Sequence, residues 1–350
     1  MPRFDSNAIE DFASRILMAA GLPEGDARVT AHLLTQADRH GYPAHGVAHI
    51  PAYLERQQTS LVQSSQPPEI VRETPVSASI DGKFYYGQVV AHKAMSLAID
   101  KAAAVGIGVV GVFHSGHVGR LADYVEMAAE RGMIGIATVS TGGASIPAHG
   151  GMTGVAGTNP MAFGIPGKGG NHVIFDFATA AMSRGELNRR GAKGEPIPDG
   201  VILDAAGNPT TDFAVMNARP RGILMPFGGY KGSGVHLMTE ILGGILVGNG
   251  LGLAWADKGG AAINGGYFLA HRVDLFQPLD HFLDQIEEFV AHVRSSQLRP
   301  EFDTMLIPGE RARDEAKRSQ REGIEIDHKE WAALLRCAEE LKLTDIPAPL

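Results

Sequence analysis

Two imidazoles and a guanidinium fall within one short stretch, residues 114–120, which reads His-Ser-Gly-His-Val-Gly-Arg. Before it runs an apolar, β-branched segment, 106–113, that suits a buried strand. After it, Leu121, Tyr124, Val125, Ala128 and Ala129 recur at helical spacing. The polar residues therefore sit where a strand hands over to a helix. Free helical N–H groups and the positive end of the helix dipole favour anions there. His117 and Arg120 at such a junction suit a substrate that carries a carboxylate. The plainer alternative is a polar loop with a solvated arginine.

A second histidine group precedes it. His45 and His49 are four residues apart and would share one helical face, while His114 and His117 are three apart. With His40 they suggest a zinc site. Yet Gly46 follows His45, where the H-E-x-x-H pattern requires glutamate, and no acidic residue flanks His114 or His117 as a third ligand. The expectation is no metal. The spelling Gly106-Ile-Gly108-Val-Val-Gly111 matches G-x-G-x-x-G, but it lies inside the strand and follows a helix, the reverse of a dinucleotide loop. With no Walker-type lysine motif either, a nucleotide enzyme needs another way to hold phosphates.

The elements that must position these residues follow in order. Residues 6–39 read as two helices, the first capped by Ser6, the second opened by Glu24-Gly25-Asp26. A Gly-Tyr-Pro loop then leads to a helix carrying Val47, Ile50, Tyr53 and Leu54, with His45 near its start. Residues 68–86 read as strands with an Asp81-Gly82 turn. A helix spans 88–104, and Met133 to Ser140 is another strand. Gly-rich loops fill 142–159, strands follow at 161–165 and 173–177, and 184–213 looks irregular. Lys231-Gly232 leads into an apolar helix from Val235. A strand at 266–270, a helix at 280–295, a loop at 307–311 and charged helices to about Leu341 complete the chain.

The 350 residues suffice for a substantial core in two or three subdomains. With 20% charged and 44% hydrophobic residues the composition is that of an ordinary globular protein, and a net charge of -8 gives no reason to expect nucleic acid. The only cysteine, Cys337, excludes an intrachain disulfide and fits a reducing cytosol. The start has no apolar signal core, so a cytoplasmic location is expected. The apolar run Ile241 to Ala256 is too short to span a membrane and reads as a buried core helix.

Asp38-Arg-His-Gly-Tyr-Pro-Ala-His45-Gly-Val-Ala-His49, the stretch around His117, Gly157-Thr-Asn-Pro-Met-Ala-Phe-Gly-Ile-Pro, Phe175-Asp-Phe-Ala-Thr, Lys193-Gly-Glu-Pro-Ile-Pro-Asp-Gly, Pro209-Thr-Thr-Asp, Gly228-Gly-Tyr-Lys-Gly and Pro308-Gly-Glu-Arg occur in a familiar order. Over about residues 6–340 the chain resembles the malate/L-lactate dehydrogenase family, which includes ureidoglycolate, sulfolactate and diketogulonate oxidoreductases, and is most similar to its 2-hydroxycarboxylate dehydrogenase branch. The resemblance implies an α/β (α+β) fold with a mixed sheet, not a Rossmann fold. It implies NAD- or NADP-dependent interconversion of 2-oxo and 2-hydroxy acids, a homodimer and no metal. It also suggests a helical region, 1–75, joined by 305–350. A substrate and dimer core would comprise 76–120 and 226–304, with an NAD(P)-binding region at 121–225.

By family position His45 is the acid/base, and His117 is a polar residue at cofactor and substrate. Hydride transfer to a ketone leaves alkoxide charge, which needs a proton donor within hydrogen-bond reach, and histidine titrates in the useful range. Asp176 could orient an imidazole or simply cap a helix. Two positions depart from the family pattern: Ala44 stands where serine usually precedes the histidine, and His49 where an arginine often binds the substrate carboxylate. An imidazole cannot reproduce the bidentate clamp of a guanidinium, so either a protonated His49 substitutes weakly or Arg120 takes over. For the cofactor, Gly157-Thr158-Asn159 and Asp176-Phe177-Ala178-Thr179 are turns that could offer backbone N–H groups. Lys231-Gly232 could meet the pyrophosphate, and Arg311, within Gly309-Glu310-Arg311, the adenosine end. Two other readings remain, a metal-dependent hydrolase built on the histidines and a catalytically inactive family member.

Overall fold

The computed structural model describes residues 1–59, 61–258 and 263–350. Helices α1 (Ser6–Ala19) and α2 (Glu24–Arg39) pack as a hairpin. The α1 cap is Asp5, not Ser6: its carboxylate accepts from the N–H groups of Asn7 and Ala8, while Ser6 is buried in the first turn. Two 3₁₀ turns, Pro43–His45 and Val47–His49, lead into α3 (Ile50–Gln58).

The central element is a seven-stranded sheet. Its strands are β1 (Glu69–Glu73), β2 (Ser77–Tyr85), β3 (Ile107–Ser115), β4 (Met133–Thr141), β5 (Met161–Ile165), β6 (Val173–Phe177) and β7 (Asn264–Arg272), arranged β1-β2-β3-β7-β4-β5-β6. Only the β2–β3 pair is parallel; the late strand β7 inserts antiparallel between β3 and β4. This is a mixed α/β fold. Helix α4 (Gly87–Val105) makes the crossover between the parallel pair. Helix α5 (Ala122–Glu130) packs on β4 and β5.

Asp81-Gly82 is not a turn. Strand β2 continues through it to Tyr85, with Lys83 and Phe84 at positive φ and the register shifting across that bulge. A Cβ on Gly82 would lie 2.7 Å from the His114 carbonyl oxygen, so glycine is needed for close approach of β3.

Residues 184–213 hold a helix, α6 (Arg184–Lys193), and the two-residue strand pairing Ile202–Leu203 with Pro209–Thr210. They form part of a second, smaller core around Leu187, Ile197, Ile202 and Leu224. Helix α7 (Gly229–Glu240) already contains Lys231 and Gly232, and continues as a π-helical segment, Ile241–Ile245. The apolar run to Ala256 is not one helix and is only partly buried: Gly243, Gly244 and Val247 are buried, while Ile241, Ile245 and Leu246 are exposed. Among the described residues no helix is long and apolar enough to cross a membrane. Helices α8 (Leu279–Arg294), α9 (Glu310–Glu322) and α10 (His328–Glu340) follow. Leu334, Cys337 and Ala338 of α10 join the main core with Phe12 and Ile16 of α1.

A Cβ on Gly87, at the start of α4, would lie 2.2 Å from the carbonyl oxygens of both Gly116 and His117. The backbone carrying His117 therefore rests directly on α4. Gly87→Ala is expected to destabilise the fold by about 1–3 kcal/mol through overpacking. Gly25→Ala, at an open helical position, is expected to change stability by less than about 1 kcal/mol. Urea unfolding of the two variants measures the contrast.

Candidate active site

The His45 turn is held from behind. Asp38, in the last turn of α2, accepts a hydrogen bond from the Val47 N–H at 2.9 Å. Its carboxylate lies so close that a Cβ on Gly46 would fall 1.9 Å from Oδ1. Burial pushes the Asp38 carboxyl up to about 8. Glycine at position 46, the residue that broke the zinc-protease pattern, is what lets the turn close on α2.

His117 comes from the other side. The Val118 N–H donates to Asn264 Oδ1 on β7 at 3.1 Å, which fixes the chain as it leaves β3. Together the two segments bring His45, His49 and His117 into one cluster, with a ring nitrogen from each within 4.8 Å of the others. The His45 and His117 rings are nearly parallel, 5.7 Å between centroids, and His49 lies 4.9 Å from His117. His40 and His114 are not members. His40 bonds the Gln36 carbonyl through Nδ1, and His114 faces Asp81 at 3.3 Å and stacks on Phe84.

Each cluster imidazole has a different environment. His49 Nε2 donates to the Ala44 carbonyl at 2.6 Å. His117 Nδ1 shares a 2.8 Å hydrogen bond with Tyr53 Oη, which also accepts from Gln88 Nε2 at 2.7 Å. His45 Nδ1 is buried without a partner among the described residues. Burial lowers the pKa of His45 to about 4, with His49 and Arg120 adding to the effect. Burial also lowers His49 and holds His117 well below the ordinary histidine value. A protonated His49 standing in for arginine is thus disfavoured.

Arg120 is the fixed cation nearby. It is only 6% exposed, and its Nε and Nη1 have no hydrogen-bond partner among the described residues. Its Nη2 lies 3.5 Å from Asp123 and 4.0 Å from Glu126. The guanidinium faces a cavity of about 300 Å³ that is also lined by Tyr42, Asp176, Gly309, Arg311 and Arg313. The ring of Tyr42 lies 5.4 Å from the Arg120 guanidinium carbon and 5.1 Å from that of Arg311, whose Nη2 donates to Tyr42 Oη. Two helices, α5 and α9, begin at this cavity.

The other expected residues divide. Among the described residues Asp176 bonds no imidazole; its Oδ2 accepts from the Ala122 N–H at 2.9 Å, at the start of α5. Asn159 is fully buried, its amide group committed to Thr141 and Glu240. Thr179 is equally buried, bonded to the Thr158 carbonyl and to His236. Glu310 accepts from the Ile307 N–H and pairs with Arg294. Each of these three side chains is engaged within the protein. Gly157 and Thr158 pack against Thr141, and Phe177 stacks on Phe175 beside Ala178 and the small core. Lys231 is exposed against Tyr230, and Gly232 is buried with Phe227. Gly309 and Arg311 line the cavity.

A family model described as malate/L-lactate dehydrogenase matches residues 4–335. The chain belongs to that family. It is 38% identical over 332 residues to a malate/(S)-sulfolactate dehydrogenase of Methanothermus fervidus, covering 94% of this chain and 95% of that protein. It is 31% identical over 347 residues to the hydroxycarboxylate dehydrogenase B of Escherichia coli, covering 98% and 95%. The solved sulfolactate dehydrogenase of Methanocaldococcus jannaschii superposes with a TM-score of 0.88 at 32% identity, covering 98% of each chain. A Δ1-piperideine-2-carboxylate reductase from Pseudomonas syringae does so with 0.86 at 29%, covering 97% and 100%. Membership makes this chain, like other malate/L-lactate dehydrogenases, an oxidoreductase of the hydroxy-acid type.

Within this family member, Tyr53, Gln88, Tyr42 and Asp38 shape the site and were not singled out from sequence. Tyr53 had a legible signal, lying four residues after His49 on the same helical face; Gln88 had none.

The pH dependence of stability follows from the histidines. His45 and His40 both sit near 4, each chiefly through burial, against about 6.5 in the unfolded chain. Between those values the unfolded chain binds protons that these two native histidines refuse, so their contribution to stability is full above about 6.5 and is lost as pH falls toward 4, while the raised Asp38 carboxyl acts in the opposite direction. Denaturant melts between about pH 6.5 and 4 are expected to show His45→Gln losing less stability on acidification than the parent chain.

Proposed function

We propose that this chain interconverts 2-oxo and 2-hydroxy acids using NAD or NADP, with His45 carrying the proton and Arg120 holding the substrate carboxylate. The observation that carries the reading is the buried Arg120 guanidinium, whose Nε and Nη1 have no hydrogen-bond partner among the described residues. Such a group is matched by a carboxylate in the bidentate geometry that imidazoles cannot supply.

The residues present fit a dinucleotide. Two helix N-termini, Arg311 and Arg313 meet at the Arg120 cavity, where anionic phosphates are stabilised by N–H groups and charge. When bound, the nicotinamide supplies or accepts the hydride. Arg120 holds the acid so that its 2-carbon oxygen faces His45. In reduction the His45 imidazolium gives that oxygen a proton; in oxidation neutral His45 takes the hydroxyl proton. The carboxylate at Arg120 offsets one of the charges that depress His45, which raises its pKa as substrate binds. His117, held by Tyr53, lies beside His45 as a neutral polar wall.

Exposed apolar residues of α7 and its continuation, Leu237, Met238, Ile241, Ile245 and Leu246, form a face that suits burial against a second copy. We read the protein as a homodimer on that basis. Sedimentation of a Leu246→Asp, Met238→Asp double variant is expected to give monomers where the parent chain gives dimers.

A panel of 2-oxo and 2-hydroxy acids with NADH, NADPH and their oxidised forms, followed by nicotinamide absorbance, tests the function; silence across the panel would leave an inactive family member. Arg120→Ala is expected to raise KM for the best 2-oxo acid by about 10–100-fold, the cost of a lost charged hydrogen bond. If it leaves KM unchanged while His49→Ala raises it sharply, His49 is the carboxylate anchor. In the oxidative direction, kcat/KM is expected to rise with pH through about 4, where His45 becomes neutral, and to level off toward neutrality.

A further inference from the structure

Three imidazoles whose ring nitrogens lie within 4.8 Å of one another, with no carboxylate among them, form a set able to hold a metal ion. We propose that His45, His49 and His117 bind one Zn²⁺ ion, with water in the fourth position, and that this ion inhibits the enzyme by occupying His45. The binding stands on the three histidines alone; the inhibition rests on the reading of His45 as proton carrier.

Zinc takes imidazole nitrogen at roughly 2.0–2.1 Å in tetrahedral sites, and three protein ligands plus water is the usual open form. Tetrahedral bonds of that length place ligand nitrogens about 3.4 Å apart, so the rings must draw in from the present spread by about an ångström. Two of them already have the outer contacts that metal-bound imidazoles make. His49 donates Nε2–H to the Ala44 carbonyl, the tautomer whose Nδ1 carries a lone pair; with Nδ1–H donated to Tyr53 Oη, His117 presents its lone pair at Nε2. His45 has a buried nitrogen with no partner among the described residues.

The all-imidazole set favours zinc, copper or nickel over magnesium or calcium, which prefer oxygen. With no ligand charge to offset the dication, the site is a weak one that a chelator strips. His49 is essential: arginine there leaves two imidazoles and a cation.

The test is titration calorimetry of ZnCl₂ into the chelator-treated full-length protein, with the Co²⁺ visible spectrum as a second readout. The expected result is one ion per chain, tetrahedral cobalt bands, and at least about tenfold weaker binding in His49→Arg and in His117→Gln, both checked for folding by circular dichroism. Zinc added to the dehydrogenase assay is expected to lower the rate, EDTA to restore it, and Mg²⁺ to do nothing. The proposal is overturned if no saturable zinc binding occurs, or if binding is unchanged in both variants. A protein that binds one zinc through these histidines yet turns over no 2-oxo acid would retain the site and refute the function instead.

Discussion

The interaction on which the site depends is one that the protein leaves incomplete. Arg120 is 94% buried by its 6% exposure, yet two of its donors meet nothing among the described residues. A buried unpaired donor costs about 1–3 kcal/mol, more when charged, and Asp123 and Glu126 stand off at 3.5 and 4.0 Å. Tyr42 covers the guanidinium face without satisfying its edge. On the proposed function, an arriving carboxylate or phosphate recovers that cost as affinity.

Much of the scaffold was legible because its pattern is strong. Strands β3 and β4 are short apolar runs bounded by glycine, and α4 and α5 hold a helical apolar stripe, so the junction carrying His117 and Arg120 could be placed from sequence. Helix α6 was not legible. It buries only Leu187 and is held by the Ser183 cap and by Glu186 pairing with Arg189 and Arg190, a charged pattern that looks like loop. The start of α7 failed for another reason: its glycines read as a turn. Gly232 is needed inside the helix because a Cβ there would collide with the Phe227 carbonyl at 1.6 Å.

At the site, residue types were legible and partners were not. His45, His49 and His117 are separated by up to 72 positions in the chain, and only the tertiary fold shows that they meet while His40 and His114 turn away. Asp176, Asn159, Thr179 and Glu310 have the chemistry of ligand-binding residues, but each is engaged by a nearby backbone or side-chain group. A polar residue in a motif may as readily hold the loop as touch the ligand, and sequence alone does not separate the two.

Buried Glu240 joins three pieces that are distant in the chain. It accepts from Ser140 at the end of β4, from the Asn159 amide and from the Gly252 N–H. Because Glu240 closes helix α7, that helix cannot slide without dragging the 157–160 turn and the strand end with it. Mechanically the three are one lever, with its long arm ending in the exposed apolar residues of α7 and its short arm in the sheet.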